Sequence, residues 1–370
     1  MNREPEEFGA QLETASSWQL AWRRFRRHKL AVVALIFMAL LYLVVLLADF
    51  LATADPNRID AGRAYRPPQP IHLRDDSGFN LHVHAVSGEW DHRNFRRVHR
   101  TDPDRRLPVR FLARGYEYEF LGLFPTGLHL MGVEGDAHAL SILGTDGLGR
   151  DLYSRLVHGT RTSLTIGLAG VVLSLVLGVV LGGISGFYGG TVDTVIQRII
   201  EILLSIPTIP LWLGLAAAMP RDWGVLRVYF ILTVILSLIG WTRLGREVRG
   251  RFLVLRQEDY VLAAELMGAG RASIIRRHLV PAIASHVIAT ATLALPAMII
   301  AETSLSFLGL GLRPPAISWG ILLQGAQQVQ VLALRPWLLA PAVPVVVAIL
   351  AFNFVGDGLR DAADPYARRT

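Results

Sequence analysis

The sequence predicts an all-α polytopic membrane protein, with six transmembrane helices and a small β-rich extracytoplasmic insertion after the first. Three observations carry that fold class. Of 370 residues, 52% are hydrophobic and only 18% charged, and the mean hydropathy is +0.39, which is too apolar for an ordinary soluble domain. Six apolar runs punctuate the chain, each bounded by polar or proline-rich sequence. Arginines gather beside alternate ends of those runs, as they do where positive charge is retained in the cytoplasm.

Residues 1–29 read as a cytoplasmic N-terminal segment, because Arg23, Arg24, Arg26, Arg27 and Lys29 immediately precede the first apolar run. Residues 30–52 carry no charge until Asp49. At about 1.5 Å per residue, a run of that length crosses a hydrocarbon core of ~30 Å. It is too long and starts too late for a cleaved signal peptide, so it is expected to remain as an anchor.

Residues 53–140 form a long polar insertion, punctuated by Pro67, Pro68, Pro70, Pro103 and Pro108. Alternation at Leu81, Val83 and Ala85, and again at Tyr116, Tyr118 and Phe120, predicts strands. The histidines His72, His82, His84, His92, His99, His129 and His138 invite a metal-site reading, since His82 and His84 would share one face of a strand. No second ligand pair stands at a recognisable spacing, so surface histidines are the simpler expectation and no metal site is assigned.

Residues 141–358 are expected to form a five-helix core, with spans at 163–186, 195–219, 226–241, 282–308 and 337–354. The first of these carries Gly167, Gly170, Gly178, Gly182, Gly183 and Gly186, and small residues at such spacings let helices approach closely in lipid. The next contains Pro207 and Pro210, which free backbone carbonyls in mid-span and suggest a helix lining a pathway. Alternation from an inside N-terminus places residues 242–281 inside with Arg243, Arg246, Arg249, Arg251, Arg256, Arg271, Arg276 and Arg277. The outer loops after the third and fifth spans hold fewer, namely Arg221 and Arg227, and Arg313 and Arg335. The tail 359–370, with Arg360, Arg368 and Arg369, falls inside.

Several function classes drop out. There is no cysteine, hence no disulfide, thiolate nucleophile or zinc-thiolate site. The net charge of +7 sits beside apolar runs rather than along a groove, which fits lipid headgroups and not nucleic acid. No Gly-x-x-x-x-Gly-Lys-Ser/Thr loop occurs and the only lysine is Lys29, so the chain does not hold ATP phosphates itself. No zinc-protease motif, nucleophile elbow or paired acids mark an enzyme. At membrane depth, Glu201 near the inner start of the third span and Glu302 towards the outer end of the fifth either line a path or pair to hold the bundle. Asp357, at the inner end of the last span, suits a cap or an interface contact.

The inner segment is the most informative. Val261, Ala264, Leu266 and Met267 fall near helical spacing, Glu258, Asp259 and Glu265 add acids, and Gly268 and Gly270 permit a turn before the chain re-enters the membrane at Pro281. A short helix of this kind suits docking to a soluble partner better than chemistry; a plain polar loop is the alternative.

Ala263-Ala264, three residues, Gly268, then nine residues to His278-Leu279-Val280-Pro281 resembles the signature loop of type I ABC importer permeases, Glu-Ala-Ala-x3-Gly-x9-Ile-x-Leu-Pro. The chain departs from it at Leu262, His278 and Val280. The Arg-His-x-x-Pro ending is similar to the dipeptide and oligopeptide branch, as are the stretches 143–151, Gly186-Phe187-Tyr188-Gly189-Gly190 with Asp193, 301–311, Ser318-Trp319-Gly320, and Asn353 with 356–361. The resemblance covers 20–52 loosely and 141–365 closely, and leaves the insertion outside it.

That resemblance implies the type I ABC importer permease fold in a bacterial inner membrane, with both termini cytoplasmic. It implies a coupling loop of Asp259, Tyr260, Ala263, Ala264, Glu265, Gly268, Ala269, Arg271, His278 and Pro281 that fits a groove on a cytoplasmic ATPase. Glu201, Pro207, Pro210 and Glu302 are the candidates for the translocation path. The implied partners are two ATP-binding cassette ATPases that use ATP and Mg, a homologous second permease, an extracytoplasmic substrate-binding protein and membrane lipid. No cofactor belongs to this chain. The expected cargo is peptides, with a nickel chelate or a glycoside as alternatives, and an ATP-independent channel is the reading from another class.

Overall fold

The computed structural model describes residues 17–75, 78–91, 96–133, 140–220 and 222–363. His92, His138, Arg221, Arg368 and Arg369 lie outside the described residues. A short helix α1 (Ser17–Arg27) leads into α2 (Lys29–Leu46), with His28 between them. The His28 Nδ1 accepts from the Ala31 N–H at 3.1 Å and caps α2. A single turn, α3 (Ala48–Leu51), follows.

The insertion is a four-stranded antiparallel sheet, β1 (His72–Asp75), β2 (Gly78–Asp91), β3 (Arg96–Phe120) and β4 (Phe124–Val133), in sequential order. Both alternating stretches lie in strands, and Val83, Val109, Val133 and Leu140 make its small core. His84 pairs with Arg106 but Ala85 with Asp102, so β3 bulges around Pro103, where a ladder N–H is missing. The sheet is tied to the helices through His129, whose ring nitrogens lie 3.1 Å from the Asp49 carbonyl and 3.0 Å from the Tyr116 carbonyl. The Asp49 carboxylate in turn accepts from Arg161 at 2.7 Å and faces His158 at 3.0 Å. His72, His82 and His84 converge, with ring centroids 4.8 to 5.4 Å apart, yet no group of three His, Asp or Glu among the described residues could hold a metal ion.

The remaining helices are α4 (Leu152–Tyr188), α5 (Gly190–Ser205), α6 (Thr208–Ala217), α7 (Val225–Leu255) and α8 (Asp259–Leu266). Then α9 (Arg271–Ile274) runs through a π-turn (Ile275–Leu279) into α10 (Val280–Phe307). Two short helices, α11 (Trp319–Gln324) and α12 (Val329–Leu334), precede a 3-10 turn (Pro336–Leu339) and α13 (Ala342–Ala363). Among the described residues, five rods are long and apolar enough to cross a membrane: Lys29–Leu46, Leu152–Tyr188, Val225–Leu255, Arg271–Phe307 and Pro336–Ala362.

The expected continuous span at 195–219 is instead the pair α5 and α6, bent by 85°. The cause is local. Proline disfavours helical backbone in the residue before it, and Ile206 stands at φ −90°, ψ 127°, leaving Pro207 to begin the next helix. Pro210 falls in the first turn of α6, where its missing N–H has no partner to lose.

A second difference concerns residues 242–281, which are mostly helix rather than loop. Leu244, Val248 and Phe252 recur every fourth residue and are buried, so their shared stripe prolongs α7 past Trp241 among the arginines. The tightest helix pair is α4 against α7. Gly170, Gly178, Gly182 and Gly186 line one face of α4, and the Ser237 hydroxyl donates to the Gly170 carbonyl at 2.9 Å. A Cβ on Gly186 would stand 2.7 Å from the Arg249 carbonyl oxygen.

Candidate functional site

The end of α7, the helix α8 and the root of α10 form one face of the molecule. Helix α8 is only eight residues long, so its stability comes from what it packs on and how it ends. Val261 and Ala264, three residues apart, are buried against Leu244, Val248, Phe252, Ile274, Leu279 and Ile283. Leu266 and Met267 were expected on the same apolar stripe. At 100° per residue Leu266 falls about 140° round from Val261, and Met267 is the C-cap beyond the last helical residue; they are 89% and 82% exposed. Tyr260 and Leu262 are exposed as well, beside Glu258, Asp259, Ala263 and Glu265, so the outer surface of α8 is apolar with an acidic border.

The spacing between the alanine pair and Gly268 has a backbone explanation. Gly268 sits at φ +80°, its N–H donates to the Glu265 carbonyl at 2.9 Å, and the Ala269 N–H donates to the Ala264 carbonyl at 3.0 Å. These two bonds define a Schellman cap, with Gly268 in the left-handed position and Ala264 and Ala269 making its apolar contact. Gly270 plays a different part: it has ordinary backbone angles and stands at the N-cap of α9.

Pro281 explains the π-turn. A proline has no N–H and its ring collides with the carbonyl four residues back, here that of Arg277. Widening the preceding turn, with the Val280 N–H reaching the Ile275 carbonyl, relieves that clash and keeps the helix continuous. The helix therefore runs unbroken through Pro281, and α9 to α10 is one 37-residue rod, so the position of α8 is fixed to an element long and apolar enough to cross a membrane.

Around α8 stands a set of polar clamps that composition did not single out. The Arg249 guanidinium donates to both carboxylate oxygens of Asp193 at 2.5 and 2.6 Å, pinning the start of α5 to α7. Arg256 reaches the carbonyls of Gly186 and Phe187 at 3.4 Å, and Arg271 lies over the Tyr188 ring at 5.8 Å. Tyr260 and His278 face each other with ring centroids 6.1 Å apart. Arg249 had counted only as a marker of sidedness; the Gly-Phe-Tyr-Gly-Gly stretch with Asp193 was the available signal. Gly189 and Gly190, at φ +66° and +57°, make the turn that brings Asp193 there.

The path candidates separate. Glu201 is exposed on α5, paired with Arg198 at 2.8 Å, and Pro207 and Pro210 are exposed at the bend. Glu302 is 0% exposed. It accepts from the hydroxyls of Ser163 at 3.0 Å and Ser306 at 2.9 Å, and the Trp319 N–H donates to that same Ser163 hydroxyl at 3.1 Å. Glu302 thus joins α4, α10 and α11, and Gly320 fits there because a Cβ would stand 2.7 Å from that of Ser306. The two stretches 301–311 and 318–320 are neighbours in space through this carboxylate.

A family model described as "Binding-protein-dependent transport system inner membrane component" matches residues 178–369, and one described as "N-terminal TM domain of oligopeptide transport permease C" matches 16–68. The oligopeptide transport system permease protein OppC of Bacillus subtilis is 30% identical over 358 residues, 96% of this chain and 92% of the relative. The OppC protein of Salmonella typhimurium is 42% identical over 247 residues, 66% of this chain and 79% of the relative. That of Escherichia coli K12 is 43% identical over 227 residues, 61% and 72%.

Proposed function

Because the chain belongs to the family of binding-protein-dependent transport system inner membrane components, we propose that it is the permease subunit of an ATP-binding cassette importer that carries peptides across the bacterial inner membrane. The observation that carries the mechanism is α8, a capped helix rooted on the bundle by Val261 and Ala264 while Leu266 and Met267 point away from it. Each of two partner ATPases uses ATP and Mg, and one of them takes that outward surface into a groove. Closure of the ATPase pair pushes α8, and the push passes into α7 through the shared core and into α10 through the π-turn.

Counting the bent pair as one crossing gives six, an even number that supports both termini on one side; the arginines before the first crossing and along residues 242–277 support the cytoplasm as that side, with α8 inside and the sheet outside. The exposed face of α5 and α6, with Glu201, Pro207 and Pro210, is the wall of the path, closed by a homologous second permease. Glu302 holds α4, α10 and α11 together. The outer loops receive peptide from an extracytoplasmic binding protein.

Reconstituted vesicles test this. With the second permease, the ATPases and a loaded binding protein, peptide uptake is expected to require ATP and to stop when either ATPase is omitted. Uptake that continues without nucleotide would make the chain a channel component.

A further inference from the structure

Three helix termini meet at one level of the molecule: the end of α1, the first turns of α10 and the last turns of α13. Between them lies a shallow slot of about 70 Å³, open to the surface and lined by Trp22, Phe25, Ser285, Ile288 and Leu359. Its lining is almost wholly apolar. Trp22 is 53% exposed and stacks on the buried Phe25 with ring centroids 5.7 Å apart.

The helix that forms one wall of the slot is strongly cationic. Helix α1 has no acid among its residues and carries Arg23, Arg24, Arg26 and Arg27, with Lys29 just beyond. Arg23, Arg26, Arg27 and Lys29 are exposed and form no ion pair with the described residues. The level is set by the chain itself, since α2 starts as an apolar crossing at Lys29, directly after this helix. An apolar slot at the edge of the hydrocarbon, walled by a tryptophan on a helix that also carries unpaired cations, matches a molecule with an acyl chain and an anionic head.

We propose that this pocket holds one anionic glycerophospholipid, its acyl chain between Trp22, Ile288 and Leu359 and its phosphate among the arginines of α1. The lipid fastens α1 to α10 and α13, on the face that carries α8. This needs only that the chain crosses a membrane, so it stands or falls apart from the transport reading.

Native mass spectrometry of the full-length chain in detergent, titrated with dioleoyl phosphatidylglycerol or dioleoyl phosphatidylethanolamine, reads the site. One phosphatidylglycerol is expected to be retained at least tenfold more tightly than phosphatidylethanolamine. The triple variant Arg23→Gln, Arg26→Gln, Arg27→Gln should lose that advantage. Ser285→Trp, which fills the slot from an exposed position, should lose the lipid at an unchanged melting midpoint. Millimolar inorganic phosphate should not displace the lipid, because the chain supplies part of the affinity. Should Ser285→Trp fail to fold, quenching by brominated-acyl phosphatidylglycerol of the emission lost in Trp22→Phe reports the same contact. Equal retention of the two lipids, retention undiminished in a folded Ser285→Trp, displacement by phosphate, or absence of that quenching would overturn the proposal.

Discussion

Gly268→Val is expected to cut ATP-driven peptide uptake at least tenfold while the chain still inserts and assembles into the membrane at its normal level. At φ +80° a side chain meets backbone strain, although nothing lies within 4 Å of where a Cβ would be. For a β-branched residue the strain is about 1–3 kcal/mol. A helix of eight residues has little stability of its own to set against that, so its last turn should open and both Schellman bonds should be lost. The bundle would not notice, since its core cluster meets α8 only through Val261 and Ala264. Gly268→Asn separates strain from bulk: asparagine tolerates the left-handed region, so most uptake should survive. Uptake assays beside quantified membrane levels of the three proteins give the comparison, and full activity in the valine variant would detach the cap from coupling.

Gly182→Leu is expected to act on the fold itself. A Cβ at Gly182 would stand 2.9 Å from the Gly245 Cα, so α4 and α7 cannot keep their separation with any side chain there. Overpacking at a helix crossing costs about 1–3 kcal/mol in ordinary cores, and more where the obstacle is backbone that cannot turn aside. We expect loss of at least about 3 kcal/mol, seen as disappearance of the monodisperse species on size exclusion in detergent. Gly250, on the same α7, has nothing within 4 Å. Gly250→Ala should therefore be neutral or stabilise by up to about 1 kcal/mol through helix propensity. An unchanged profile for Gly182→Leu would mean that the two helices do not cross at this glycine.

Much of this was legible beforehand, and the misses have physical reasons. The apolar runs located every rod because burial in lipid is written in composition. They missed the ends, since α4 and α7 run on into polar residues through stripes that hydropathy averages away, Leu244, Val248 and Phe252 among them. Pro207 was recognised as unusual but placed in a continuous span; the restriction it puts on Ile206 decides the matter in favour of a sharp bend. The fold supplied what the alanine and glycine spacing alone could not, namely that the motif is a backbone cap with Ala264 inside and Leu266 outside. Glu302 was visible as an acid at membrane depth, but its partners Ser163 and Ser306 come from two helices, and no local pattern announces that meeting.

The absence of cysteine makes the central claim directly measurable. A single Leu266→Cys substitution places one thiol at the most exposed apolar position of α8, and a membrane-impermeant maleimide can be offered from either side. Labelling is expected only from the cytoplasmic side, and reassembly with the partner ATPases should protect the thiol. Labelling from the outer side, or a thiol equally reactive with the ATPases bound, would contradict a docking helix at that face.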